Sequence, residues 1–515
     1  MPAEFPEEIM TEALTKGLRP LENLAVNAPY LAACLNARPT PSGVEEPETL
    51  VQGWSGSPVW PYPMLLETSD HVMLVSEVGM SEVDDFTTAT PLAFYDASNP
   101  STSNTVPLGG GKWALADFGK DFIFMTNNTS VVVKATHLKK DNYVCQDDVI
   151  TPATCAKFGT ALVLGGAVIG TQIPVASRWY EFMDNMVKFS PANKVTNQYA
   201  GTGAVTTDEK DNSNRIFWSR TSKDAQAPFA MFLAMFHIAG ASTHDILREY
   251  IIDEIRTANI GFTQLSQSGE ILFMAPLGDN LYVYTTSGIS VINSNMEEVA
   301  IIPIEAGNRG CVHSVGGTHY IITTEQKLIK LTSEGPELLD YSEFLSTLFL
   351  PGTHMSYDPV KGELYIGDSL LTYVYGPNGL YEIAQRPTSV LRRGTTLHAQ
   401  LGTPGSTTTM ELTSHHFDFN VSDIKSLRHV DLYARDVVNL VVGTDYRFDT
   451  SDAFATITAI GGSPENIFFP PCGGVEFRIN IEGDLSSGGV IQRVRARIMY
   501  ESGRTTRGPR GNKTS

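Results

Sequence analysis

At 515 residues the chain is long enough for two to four domains, and a 42% hydrophobic content supplies sizeable cores. A formal net charge of −20, from 57 acidic against 37 basic residues, argues against a protein that grips nucleic acid with its bulk surface, because phosphate binding needs a basic face. No apolar run approaches the roughly 20 residues of a membrane-spanning helix. The first residues, MPAEFPEEIM, lack the basic-then-apolar order of a secretion signal. Five cysteines, odd in number and without a CxxC pair, do not outline a disulfide framework or a zinc knuckle, and a Cys145–Cys155 bridge is not expected. We expect synthesis in a reducing cytoplasm.

Residues 1–50 read as an N-terminal segment of turns and short helices that ends in the Pro- and Gly-bearing Asn36–Gly43. From 51 to 400 one strand–turn–strand grammar recurs. Four stretches carry it: Leu115–Lys134, Met274–Asn293, Val312–Leu331 and Ser356–Tyr381, with a fainter copy at Leu65–Val75. Tyr282, Tyr320 and Tyr365, taken as equivalent points, are spaced by 38 and 45 residues. Three to four short antiparallel strands per repeat of roughly 40–50 residues is the signature of a β-propeller blade. The expected strand cores are Phe122–Phe124, Tyr282–Tyr284, Tyr320–Ile322 and Leu364–Ile366, arranged around one axis.

Residues 135–269 break the repeat and read as an inserted irregular, partly helical section. Within it Ser242–Ile255 has the cap and the apolar spacing of an amphipathic helix. Arg215–Ser219 (RIFWS) reads as a strand. Alternation there puts Ile216 and Trp218 on one face, and an indole of that size is expected to anchor packing between blades.

Residues 401–408 (LGTPGSTT) form a linker-like break. From 409 to 503 longer strands appear at Met410–Phe419, Ser426–Ala434, Leu440–Phe448, Val475–Ile481 and Gln492–Tyr500, and their alternation points to a C-terminal β-sandwich. The whole is therefore mostly β: a propeller with an inserted middle section and a C-terminal sandwich. The last 25 residues reverse the charge, with seven basic residues against Glu501. Arg493, Arg495 and Arg497 alternate with apolar residues and so share one strand face. Arg504, Arg507 and Arg510 follow on a Gly- and Thr-rich tail, 504–515, that reads as flexible until a partner orders it. These six arginines are the candidates for assembly contacts. The plainer alternative is cross-strand pairing with acids such as Glu476 or Glu482.

Catalytic signatures are missing. GxxxxGK[ST], HExxH and a complete GxSxG do not occur, and Gly53–Ser57 (GWSGS) lacks the final glycine. Gly109–Gly111 before Lys112 lacks the flanking strand and helix of a phosphate loop. Asp208–Asn214 lacks the spacing of a calcium loop. His415 and His416, adjacent on a strand, should point to opposite faces and share no metal. No catalytic residue, metal site or cofactor is assigned.

Three short blocks resemble a known family. Leu18–Gly43 is similar to the opening of the tail nozzle (tail tubular, tail hub) proteins of short-tailed bacteriophages. Arg215–Ser219 resembles their mid-propeller strand. His416–Asn420 with Lys425, and Phe477–Arg507 ending ESGRTTRG, resemble their C-terminal β domain and its Gly- and Arg-rich exit. The resemblance implies a non-enzymatic virion protein: a homohexameric ring beneath the tail adaptor that forms the end of the DNA-ejection channel. Tail fibres or spikes would attach at its side. Genomic double-stranded DNA would pass without specific binding, and an acidic lining would keep its backbone from sticking. The particle's tail is the implied location, with synthesis in the host bacterial cytoplasm. Two other readings remain open. A receptor-binding spike or adhesin would show coiled-coil or β-helix repeats, and a propeller glycan hydrolase would need convergent carboxylates in an axial pocket.

Overall fold

The computed structural model of the chain describes residues 7–13, 30–52, 112–117, 123–127, 130–133, 153–166, 215–220, 259–402, 409–417, 424–449, 451–458, 461–463 and 466–500. Shorter described stretches lie at 16–18, 64–67, 72–75, 80–83, 86–91, 94–96, 99–103, 144–147, 150–151 and 168–169. Among them β-strand dominates, and the one α-helix is the single turn Ser342–Leu345. The chain divides into two compact units. One comprises Leu50–Tyr357 with Pro387–Gly402, and the other comprises Met1–Thr49, Asp358–Arg386 and Thr403–Ser515.

The first unit is a β-propeller built of successive antiparallel sheets. Met64–Glu67, Val72–Val75, Met80–Glu82 and Thr90–Pro91 form the earliest. Ala114–Asp117, Ile123–Thr126, Ser130–Val133 and Val144–Asp147 follow in order, extended outward by Phe94–Asp96 and Asn99–Ser103. Two regular four-stranded sheets come later: Ile271–Leu277, Asn280–Thr285, Gly288–Ile292 and Glu298–Ile302, then Val312–Val315, Thr318–Ile322, Leu328–Thr332 and Gly335–Leu338. Tight turns set the registers. Gly316 and Gly317 link Val315 to its partner Thr318 with φ of 38° and 88°, a backbone only glycine adopts without strain. Burial falls from the middle strands outward: Gly288–Ile292 is wholly buried, whereas Glu298–Ile302 is largely exposed.

The first strands of neighbouring sheets touch, as blades around an axis require. Ala114–Asp117 meets Thr154–Phe158, Thr154–Phe158 meets Ile271–Leu277, and Pro387–Arg393 meets Met64–Glu67. Between blades the packing is apolar. Val163, Leu265, Ile271, Met274, Leu281 and Val283 form one such core, and Leu65, Val72, Leu74, Val83 and Phe86 with Leu391 form another. Each fully buried aliphatic side chain contributes roughly 1.5–3 kcal/mol. The chain's early Leu50–Val51 pairs in parallel with the late Thr396–Leu401, joining distant sequence into one sheet.

The repeat anchors fall where the spacing puts them. Met73, Tyr282, Tyr320 and Tyr365 all lie in the second strand of their meander, and the three tyrosines each occupy its third position. Ile123 and Phe124 also lie in a second strand, while Phe122 falls outside the described residues. Tyr365, with the expected strand core Leu364–Ile366, belongs to the other unit and its large sheet, so the expected propeller span 51–400 is interrupted by Asp358–Arg386. Two further expectations need correction. The interval 135–269 is not uniformly irregular: Thr154–Phe158, Ala161–Gly165, Arg215–Arg220 and Asn259–Gln264 make a regular sheet of blade type. Long segments between its second and third and its third and fourth strands hide the period. The described residues of the N-terminal segment form strands in place of the expected helix-like turns, at Glu7–Ala13, Leu31–Leu35, Arg38–Thr40 and Gly43–Glu45. Ser242–Ile255 lies outside the described residues. Cys34, Cys155 and Cys311 are buried and none is in a disulfide, so Cys155 forms no bridge.

In the second unit two very long strands organise everything else. Lys425–Arg447, 23 residues, pairs antiparallel with Glu476–Tyr500, 25 residues. Four of the five strands expected at the C-terminus are the halves of these two. The register breaks around Tyr433–Val441, where Asp436 and Asn439 have φ of 54° and 53°. Bulges of this kind let a strand turn a corner and continue in a differently oriented layer. Different neighbours flank each half. Glu7–Ala13, Gly43–Glu45 and Asn466–Gly474 border the half with Tyr500, and Met410–Ser414 and Ala455–Thr458 border the half with Glu476. All belong to one hydrogen-bonded sheet, which curls into a half-barrel. Leu427, Val430, Leu432, Val494 and Ala496 line its inner face at one end. Leu412, Phe417, Phe477, Ile479 and Ile481 do so at the other, with the Phe417 and Phe477 rings stacked 6.3 Å apart.

Candidate functional site

The most unusual chemistry of the propeller unit is a group of basic side chains held between blades. Arg309 sits in the short turn Arg309–Cys311, which the sequence fixes tightly. The Asn308 side chain accepts from Cys311 N–H at 3.0 Å, and a Cβ on Gly310 would lie 1.9 Å from the Thr353 carbonyl oxygen. So placed, the guanidinium donates from Nε to the Leu272 carbonyl at 3.1 Å and from Nη1 to the Lys112 carbonyl at 3.4 Å and to Asn127 Oδ1. Lys112 donates from Nζ to the Val312 carbonyl and lies 4.5 Å from the centre of the Phe273 ring.

Two histidines from the next blade complete the group. His319 Nε2 lies 3.1 Å from the Pro276 carbonyl, which can only accept, so Nε2 carries the proton. Nδ1 then accepts from the Tyr284 hydroxyl at 2.6 Å. His313 stands within electrostatic range of Lys112 and His319 and has no hydrogen-bond partner among the described residues.

Burial governs the protonation of all of them. Desolvation, aided by Arg309, brings the Lys112 ammonium down to about 7, and desolvation brings Arg309 down to about 10. Burial lowers His313 well below the usual imidazole range and His319 to about 4. It pushes the Cys311 thiol up to about 12 and Cys155 higher still. Neither thiol is a nucleophile in this state, since the thiolate is the reactive form. Lys112, Arg309 and His313 nevertheless keep accessible surface. Groups so enclosed and yet partly accessible line a recess rather than an outer face.

The arginines singled out in the sequence lie elsewhere. Arg493, Arg495 and Arg497 do share one face of Glu476–Tyr500, opposite the buried Val494 and Ala496. Their cross-strand neighbours are Tyr433, Asp431 and His429. Arg493 stacks over the Tyr433 ring at 4.0 Å, and Arg497 Nη2 pairs with Asp431 Oδ2 at 3.3 Å. Cross-strand pairing thus occurs at Asp431, not at Glu476, whose carboxylate binds Arg447 Nε at 2.5 Å. Arg504, Arg507 and Arg510 fall outside the described residues. Trp218 is in the strand Arg215–Arg220, in register with Val163 and Gly261, and its side chain lies outside the description. The rings of His415 and His416 lie 4.1 Å apart, against the alternation expected, because the strand ends at Ser414. No cluster of His, Cys, Asp or Glu among the described residues could hold a metal ion.

The sequence did not disclose the recess. Lys112 and Arg309 are far apart in the chain, and only the blade packing joins them. The one local signal is Asn308 and Gly310, a rigid turn built around a single basic residue.

No protein-family model matches the chain, and no curated protein does. Solved structures similar to it include BamB from Moraxella catarrhalis, with 10% identity over 68% of this chain and 92% of that one, at a TM-score of 0.33. A quinonprotein alcohol dehydrogenase-like protein from Bacteroides thetaiotaomicron aligns with 9% identity over 64% and 67%, at 0.30. The Neurospora crassa Pan2 WD40 domain aligns with 8% identity over 60% and 73%, at 0.31. At such TM-scores none of them bears on function.

Proposed function

We propose that this chain is a structural virion protein, the tail nozzle of a short-tailed bacteriophage, six copies of which form a ring at the end of the DNA-ejection channel. The observation that carries this proposal is the paired strands Lys425–Arg447 and Glu476–Tyr500. They expose Tyr433, Val438 and Val441 on one strand, with Ile424 just before it and Phe448 just after it. Large apolar side chains left in water along one element suit burial against a partner. In a ring that partner is the neighbouring copy, through heterologous contacts that close on rotation.

Arg493 and Arg495, beside Tyr433 and Asp431, supply a polar rim to the same element. We assign them, with Arg504, Arg507 and Arg510 of the tail, to docking on an acidic surface of the adaptor or of the next subunit. The guanidinium fork binds carboxylates in a bidentate manner. The net charge of −20 suits a channel wall that does not hold DNA. Negative-stain imaging of the purified protein tests the proposal. Rings with six-fold symmetry are expected, and a persistent monomer or a three-fold fibre would overturn it.

A further inference from the structure

We propose that the recess between blades at Lys112, Arg309 and His313 is a binding site for a small free oxyanion of the sulfate or phosphate class. The argument is one of charge and hydrogen-bond count. Two cations from different blades are held close enough to repel one another. Among the described residues no carboxylate pairs with either, and their polar contacts are the carbonyls of Leu272, Lys112 and Val312 and the amide oxygen of Asn127. Neutral oxygens satisfy donors and leave the charge uncompensated, which a buried pair does not normally tolerate. Donors are also left over. Arg309 Nη2 and His313 have no hydrogen-bond partner among the described residues, and Lys112 Nζ has two further N–H groups. All three side chains retain accessible surface, so a small ion can reach them. A tetrahedral oxyanion supplies the missing charge and accepts from several donors at once. A cation would meet two like charges and is excluded by them.

The site is also built to sense pH. Lys112 titrates at about 7 when the recess is empty, and an anion beside it raises that value. Among the described residues, the other groups facing it do not change charge between pH 6 and 9. His313 and His319 stay neutral, Arg309 stays charged, and Cys155 and Cys311 stay protonated. Anion affinity is therefore greatest below pH 7, and it falls by about tenfold per pH unit above it as the ammonium is lost.

Sulfate is the probe, because it does not titrate in this range. Calorimetric titration of the full chain at pH 6 should show saturable binding. At pH 8 the same titration, repeated in buffers of different ionisation heat, should show proton uptake. Lys112→Met keeps the packing on Phe273 and should lower affinity at pH 6 by at least about tenfold while abolishing the pH dependence. His313→Asn, at a side chain with no hydrogen bond among the described residues, should weaken binding with the pH dependence intact, and it decides the matter should Lys112→Met not fold. Absence of sulfate binding at pH 6, or wild-type affinity in His313→Asn together with wild-type affinity in any folded Lys112→Met, would overturn the proposal. A short DNA duplex that displaced sulfate would assign the site to backbone phosphate and overturn it as a site for a free ion. The outcome is independent of the symmetry seen by imaging, so this proposal and the nozzle assignment can fail separately.

Discussion

Replacing Arg38 by methionine isolates the energetics of one buried ion pair. Arg38 Nε contacts Glu363 Oε1 at 2.5 Å, joining the strand Arg38–Thr40 to Glu363–Gly367 within the same unit, and the two side chains are 17% and 1% exposed. Burial raises the Glu363 carboxyl above its usual 4.5 even with the guanidinium and the Tyr381 hydroxyl opposing it. Methionine keeps the stem volume and removes the charge, so the carboxylate is left desolvated beside a phenol. Orphaning one partner of a buried pair costs about 3–5 kcal/mol. The sign of the pH effect follows from the raised carboxyl. Its ionisation destabilises the folded state, with a penalty that is absent below 4.5, grows as pH rises through the window from 4.5 to the folded value, and is complete above it.

Arg38→Met should therefore be strongly destabilised at pH 7.5 and much less so at pH 4.5. All five tryptophans lie in the other unit, so tryptophan fluorescence does not report on this one. Hydrogen exchange over 31–45 and 358–386 does. After correction for intrinsic rates, exchange there should accelerate by more than about a hundredfold at pH 7.5, at about 1.4 kcal/mol per tenfold. Arg38→Met with Glu363→Gln should recover most of the protection. A loss below about 1 kcal/mol at pH 7.5, or an equal loss at both pH values, would refute the reasoning.

Tyr284→Phe removes the hydroxyl that donates to His319 Nδ1 and strands a buried acceptor, so unfolding followed by tryptophan fluorescence should show a loss of about 1–3 kcal/mol. Gly310→Ala drives a Cβ into the Thr353 carbonyl oxygen at 1.9 Å, backbone against side chain, and should cost about 3 kcal/mol or more. A Gly310→Ala protein with the wild-type thermal midpoint would contradict the tight turn on which Arg309 depends.

What the sequence disclosed, and what it hid, divides along a physical line. Local alternation and turn chemistry sufficed for Asn280–Thr285, Thr318–Ile322 and Glu363–Gly367, because each strand is followed by its partner within a few residues. The blade holding Trp218 was hidden because its four strands are separated by long intervening segments, so no fixed period survives. In the C-terminal region the strand segments were legible but their continuity was not. Asp436 and Asn439 read as turn formers, and they serve as bulges inside one strand. The face shared by Arg493, Arg495 and Arg497 followed from alternation alone, whereas their neighbour Asp431 needed the register. The recess needed more still, since Lys112 and Arg309 meet only through the packing of whole blades.

The protonation states bear on the kind of work the protein does. An acid–base catalyst holds at least one group poised near neutral pH and within reach of a second that titrates against it. Several buried titratable groups are pushed the other way. His319 and His415 are both lowered to about 4, Cys34 and Cys155 are pushed far above the usual thiol range, and Cys311 is raised to about 12. Each is thereby fixed in its uncharged form across physiological pH, as packing residues are. Lys112 is an exception, and among the described residues no carboxylate pairs with it; the Glu363 and Glu382 carboxyls, raised by burial, are exceptions in the other unit. Glycan hydrolysis requires two carboxyl groups about 5–10 Å apart, one of them protonated. A lysine flanked by an arginine and a neutral histidine attracts an anion. At Lys112, Arg309 and His313 the charge thus favours an anion as ligand.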